Sequence, residues 1–253
     1  RHTFAEIREL SETMLGHAGA SFAFAEFLFH ETEGNAFLAT EVARSIPPPS
    51  GGPASAPPTS KTRSRLESIR RVLERRLAKL DDASLRLLEV AAVAGRELDP
   101  PLLRDVTQRS EREIQTFALE AGGLLEAVGA DYRFRHDKFR EAILDAMTEA
   151  DRQSIHLRIA DALERRIGEA PDAGAAGRLA HHLTAGGKGE RALPYLQIAA
   201  TDAIARYANK EAVRYLETAI AIVEGAPVPD GRRLLVFYKL LAPALIATRG
   251  YAA

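Results

Sequence analysis

Apolar residues recur every three or four positions along most of the chain, which predicts a mainly α-helical protein. In residues 1–46, Phe4, Ile7, Leu10, Met14 and Leu15 form one stripe. Phe24, Phe27 and Leu28 form a second, and Phe37, Leu38, Val42 and Ile46 a third, with a turn signal at Gly34-Asn35. Residues 47–62, PPPSGGPASAPPTSKT, break the pattern; proline and small polar residues cannot bury enough apolar surface to order themselves, so this stretch reads as a linker. The pattern resumes with Leu66, Ile69, Leu73, Leu77 and Leu80 on one face, closed by Asp81-Asp82. Ala83–Ala94 follows as a second helix that Gly95 stops. Asp99 is placed to cap a third helix with Pro100 at its first position, and Ser110 with Glu113 spells a capping box for a fourth that ends at Gly122-Gly123.

The period then changes. Leu124–Val128 and Tyr132–Arg135 read as two strands around Gly129-Ala130-Asp131, a β-hairpin. In YRFRHDKFREA, Tyr132 and Phe134 alternate with Arg133 and Arg135, while Phe139, Ile143 and Met147 share a helical face. His136-Asp137 therefore sits where a strand becomes a helix. Asp137 is placed to cap that helix through exposed backbone N–H groups, and His136 can point a donor out of the same junction, a natural place to meet a phosphate. Helices followed by one hairpin is the order of a winged helix, so residues 63–150 are expected to be one.

Residues 151–253 are helical throughout by pattern. Asp151–Ile167 is one helix, followed by a loose turn over Gly168–Gly177. Ala192, Tyr195, Leu196 and Ala199 return twenty positions later as Ala212, Tyr215, Leu216 and Ala219. Small residues at close-packing positions beside bulkier ones are what stacked helical hairpins require.

Composition narrows the chemistry. The chain of 253 residues has no Cys and no Trp, which excludes disulfides and thiolate metal sites and fits a reducing cytoplasm. A net charge of −1 carries no global signature for nucleic acid or membrane. The apolar run Leu234–Ala247 is broken by Lys239 and Pro243 and is too short to span a bilayer. No signal peptide is visible, and a chain opening on Arg1 reads as a piece of a longer polypeptide.

Several segments together resemble the STAND family, the signal-transduction ATPases with numerous domains, in its bacterial branch. EVAAVAGRELDPPLLRDV followed by RFRHDKFREAI is similar to the family's winged-helix domain, and His136-Asp137 to its Met-His-Asp motif, with Arg135 standing where Met is usual. FHETEGNAFLATEVARSI resembles the end of the ATPase lid, where Ala36 replaces the usual proline. The repeats resemble tetratricopeptide repeats, and APALIATRGYAA the start of a further one. The resemblance implies a mainly α fold: the C-terminal part of a helical lid in 1–46, a winged helix with one β-hairpin in 63–150, and a tetratricopeptide-like solenoid in 151–253. It implies that His136 senses the β-phosphate of ADP and that the Gly34-Asn35 turn lies near the base. ATP or ADP with Mg would be bound by an upstream nucleotide domain, in a parent ATPase some of whose relatives carry a cyclase or kinase domain. The solenoid would receive a protein or small-ligand signal, with protein partners bound through the repeats, and activation would expose surfaces for self-association.

The residues by themselves leave alternatives open. His136 can equally be a strand-end histidine bonded locally, and Gly34-Asn35 a plain helix–helix turn. There is no G-x-x-x-x-G-K-[ST] sequence, and Gly186-Gly187-Lys188-Gly189 follows no strand, so the fragment is not expected to hydrolyse ATP. His181-His182 are neighbours on a helix and cannot chelate as an i, i+4 pair would; they read as packing or surface residues. The basic segment Lys61–Lys79 reads as a solvated face, a contact to DNA phosphates, or a contact to a nucleotide domain. Direct DNA binding is disfavoured because Glu111–Glu120, the helix expected to enter a groove, is net acidic. A non-enzymatic protein-binding scaffold is the remaining alternative.

Overall fold

In a computed structural model, residues 2–15, 22–32, 34, 36, 39, 40, 43, 77, 78, 80–121, 124–168 and 171–249 are described. The expected linker, most of the basic segment, Asn35 and Gly122-Gly123 lie outside them. The protein is mainly helical with one small antiparallel sheet. Two compact units emerge, one from residues 1–85, 120–125 and 134–142, the other from 86–119, 126–133 and 143–253.

In the first unit, α1 (Phe4–Leu15) and α2 (Phe22–Thr32) pack through the two expected stripes. Ile7, Leu28, Ala39 and Ala43 are buried there, with Leu10, Met14, Phe24, Phe27 and Phe29 closing over them. Thr3 and Glu6 form a reciprocal cap at the start of α1: Thr3 N donates to Glu6 Oε2 at 2.7 Å, and Glu6 N to Thr3 Oγ1 at 3.4 Å.

The helix α3 (Asp82–Ala94) follows Asp81, whose carboxylate accepts from Ser84 N at 2.7 Å, so Asp81 caps the start of this helix. A strand absent from the expectation comes next: β1 (Glu97–Leu98), two residues long and therefore without a readable period. After α4 (Pro100–Thr107) and α5 (Glu111–Glu120) the hairpin forms from β2 (Leu125–Val128) and β3 (Asp131–Phe134). The strand order is β1-β3-β2, with β1 antiparallel to β3 and Glu97 opposite Arg133.

The expected capping box holds at α5, where Ser110 N reaches Glu113 Oε2 at 2.8 Å and Glu113 N reaches Ser110 Oγ at 3.3 Å. These bonds hold the Glu113 carboxyl at about 2, the Ser110 backbone N–H being the largest cause. Asp99 departs from expectation. It precedes α4 in extended backbone, but its side chain makes no cap bond. It is instead drawn to Arg166, Nη1 to Oδ2 at 2.7 Å, because a charged fork binds a carboxylate more strongly than a backbone N–H does.

The helix α6 (Asp137–Ala146) leads into five longer ones: α7 (Glu149–Ile167), α8 (Ala173–Ala185), α9 (Gly189–Ala205), α10 (Asn209–Glu224) and α11 (Gly231–Arg249). From α7 onward each packs on the next, a helical-repeat solenoid. The internal echo is structural. Ala192, Leu196 and Ala199 are buried in α9, and Ala212, Leu216 and Ala219 are buried in α10. The turns match as well: Gly186, Gly187 and Lys188 donate to His182, Thr184 and Leu183 carbonyls at 2.9, 3.0 and 2.8 Å. Arg206, Tyr207 and Ala208 donate to Asp202, Ile204 and Ala203 carbonyls at 2.9, 3.0 and 2.8 Å.

One boundary needs correction. The expected turn over Gly168–Gly177 ends at Asp172, whose carboxylate caps α8 by accepting from Ala175 N at 2.8 Å. Gly177 lies inside α8, buried, where a Cβ would stand 2.8 Å from the Tyr215 hydroxyl. It is glycine for close approach rather than for a turn.

Candidate functional site

The strand-to-helix junction forms where the change of period places it. Phe134, at the end of β3, is fully buried. Arg135 then leaves the strand, its N–H donating to Leu124 O at 2.9 Å and its Nε to Leu125 O at 3.3 Å. His136 is half-buried, its ring 5.5 Å from that of the buried Phe139 and tilted 54° to it. Its carbonyl accepts from Phe139 N at 3.1 Å, which closes the first turn. Asp137 opens α6 and is exposed. A carboxylate in a first turn complements the positive end of the helix dipole. The junction thus holds an imidazole beside a helix N-terminus, a geometry that can donate to an anion from outside.

Gly34 belongs to a different part of the first unit. Its φ is +74°, and a Cβ would stand 2.3 Å from the His2 carbonyl oxygen. His2 N also donates to Gly34 O at 2.7 Å. The turn therefore demands glycine whether or not a ligand lies nearby.

The repeats hold a cluster that local sequence does not reveal. His182 is only 3% exposed, and its Nδ1 lies 2.9 Å from Nδ1 of His156 on α7. His181 joins them, with ring centroids 5.5 Å from His156 and 5.2 Å from His182. Burial first, then the charges of His156, His181 and Arg178, pull His182 down to about 3. A neutral ring is thus the stable form, and the close nitrogen pair requires one ring to donate and the other to accept. His182 is a packing residue, as expected, but its partner sits 26 positions upstream. The signal in the sequence is the helical spacing of Ile155, Ile159 and Leu163, beside which His156 falls at the edge of the inward face of α7. Among the described residues no group of three or more His, Cys, Asp or Glu could hold a metal ion. Nor is any described helix long and apolar enough to cross a membrane.

The Gly186–Gly189 segment joins α8 to α9, with no strand before it. Its N–H groups close the helix end rather than pointing at a phosphate cradle.

No family model matches the chain. An uncharacterized protein of Rhizobium meliloti is 31% identical over 198 residues, which is 74% of this chain and 19% of that protein. Among solved structures, a signal transduction ATPase with numerous domains bearing a tetratricopeptide repeat sensor, from Pyrococcus horikoshii, is similar at a TM-score of 0.48 and 14% identity. That similarity covers 98% of this chain and 39% of the archaeal one. The chain thus spans about a fifth of the length of the curated relative it matches.

Proposed function

We propose that this chain is the regulatory part of a nucleotide-switched signalling ATPase: the end of a lid, a winged helix built on α3 to α6, and repeats that receive a signal. The observation that carries the reading is the half-buried His136 beside the N-terminus of α6. ADP and Mg would be held by an upstream domain, and the nucleotide would supply a β-phosphate. His136 donates to that phosphate in the resting state, and the α6 terminus adds its dipole. Loss of the contact on exchange for ATP frees the winged helix to move, because a switch requires each ligand to favour one state. The residues here fit one phosphate contact and not a whole nucleotide site, so catalysis would reside upstream.

The test is His136→Ala in the longer polypeptide carrying the upstream nucleotide domain. The expected result is faster ADP release and raised basal output. Unchanged ADP affinity together with unchanged output would remove the sensor role.

A protein-binding scaffold is the second reading. Its support is the outer side of α11, where Leu235, Val236, Tyr238 and Ile246 are all exposed. A glycine-rich phosphate loop upstream of Arg1 favours the switch, while its absence favours the scaffold.

A further inference from the structure

The two neighbouring interfaces in the repeats solve the same problem differently. Where α7 faces α9, Arg191 Nη2 meets Asp161 Oδ1 at 3.0 Å and Glu164 Oε2 at 2.6 Å. Tyr195 donates to the same Glu164, Oε1 at 3.2 Å. The cation and the hydroxyl are thus answered by carboxylates from the facing helix.

Twenty positions on, Tyr215 occupies the equivalent place in α10, but α8 brings no carboxylate to it. Its hydroxyl turns to Glu211 on its own helix at 3.0 Å. What faces it is Gly177, close under the hydroxyl, and both line a cleft of about 400 Å3 among α8, α9 and α10. Arg214 lines this cleft, its guanidinium carbon 5.6 Å above the Tyr215 ring. Among the described residues it has no ion-pair partner, in contrast to Arg191, Arg206 and Arg233 in the same repeats. His181 and Thr184 form the opposite wall, and the buried Thr184 hydroxyl oxygen has no hydrogen-bond partner among the described residues. Leu196 supplies an apolar floor. Among the described residues that line the cleft none is acidic; Glu211 lies behind the Tyr215 hydroxyl.

We propose that this cleft binds a small organic anion, a carboxylate or phosphate monoester carrying an apolar body. Its charged end lies between Arg214 and His181. Its body lies over Leu196. A planar guanidinium fork suits either oxyanion through paired N–H donors. The inference rests on reading the repeats as the receiving end of the protein, and it names the class of ligand received.

The test is a titration of the full chain with phenyl phosphate at low ionic strength, followed by NMR of the His181 and Tyr215 rings and the Leu196 methyls. Saturable shifts at those groups are expected. Losing one charge-assisted contact should weaken binding on the order of tenfold or more in Arg214→Gln, with partial retention in Arg214→Lys. Phenol, with the ring and no charge, should bind on the order of tenfold more weakly than phenyl phosphate. Arg214 is exposed, so the variants are expected to fold, and their amide spectra verify it. Absence of saturable shifts, shifts confined to another part of the chain, or equal binding by wild type and Arg214→Gln would each overturn the proposal. Any of these would leave the nucleotide reading standing, since that depends on His136 and is read from ADP release.

Discussion

Acidification should destabilise the repeats through His182, and the size of the effect follows from its burial. The ring is 3% exposed and held to about 3 from an ordinary value of 6.5. Between those values the unfolded chain binds a proton that the folded chain refuses, so stability rises with pH there. The contribution is complete above 6.5 and is lost as pH falls toward 3. Each unit below 6.5 costs about 1.4 kcal/mol, which makes roughly 2 kcal/mol at pH 5 and a ceiling of ~5 kcal/mol near pH 3. Other groups titrate over the same range, so the measurement must be a difference of differences. Urea unfolding of wild type and His182→Gln at pH 7 and pH 5, followed by circular dichroism, isolates the term. Wild type should lose roughly 2 kcal/mol more than the variant across that interval. His156→Gln separates the causes: burial is the larger one, so most of the pH dependence should survive in that variant. Parallel profiles for wild type and His182→Gln would refute the reasoning, because a histidine with no folded-state shift makes no pH-dependent contribution.

Two further substitutions test backbone arguments. Gly34→Ala should destabilise the α1–α2 pair by roughly 2–3 kcal/mol, read as a lowered urea midpoint, since it forces a side chain into positive φ and against the His2 carbonyl. Tyr207→Gly should stabilise the repeats by about 1 kcal/mol, read as a raised melting temperature, because Tyr207 is held at φ 60° with its side chain 88% exposed.

What could be read from sequence was what depends on near neighbours. The capping box at Ser110 and Glu113 spans a single helical turn, and it forms as expected. The strand-to-helix change at His136 is local too, since alternation stops at Phe134 and helical spacing begins with Phe139. What stayed hidden depended on distant partners. Asp99 has the right position for a cap, but Arg166 lies 67 residues away and wins its carboxylate. Gly177 looked like a turn residue because glycine usually breaks helices; its reason is the Tyr215 hydroxyl, on a helix two further along the chain. The strand β1 is too short to show a period, and its pairing with β3 spans more than thirty residues of sequence.

The repeat itself offers a way to separate structure from function. Positions where α9 and α10 agree in residue and burial, such as Ala192 with Ala212 and Leu196 with Leu216, are accounted for by packing. Enlarging Ala192 or Ala212 would overfill a closed interface. Positions where the two helices share a geometry but differ in residue need another explanation. Gly187 and Tyr207 make the same turn with the same backbone bonds, yet the second carries an exposed aromatic in a conformation that favours glycine. Pro194 and Arg214 are likewise equivalent in the echo, and the second places on an open cleft a cation that has no ion-pair partner among the described residues. The backbone they share does not ask for either residue. Function in a repeat is therefore best sought at the positions that break the echo while keeping its backbone, and in these helices those positions converge on α10 and the turn before it.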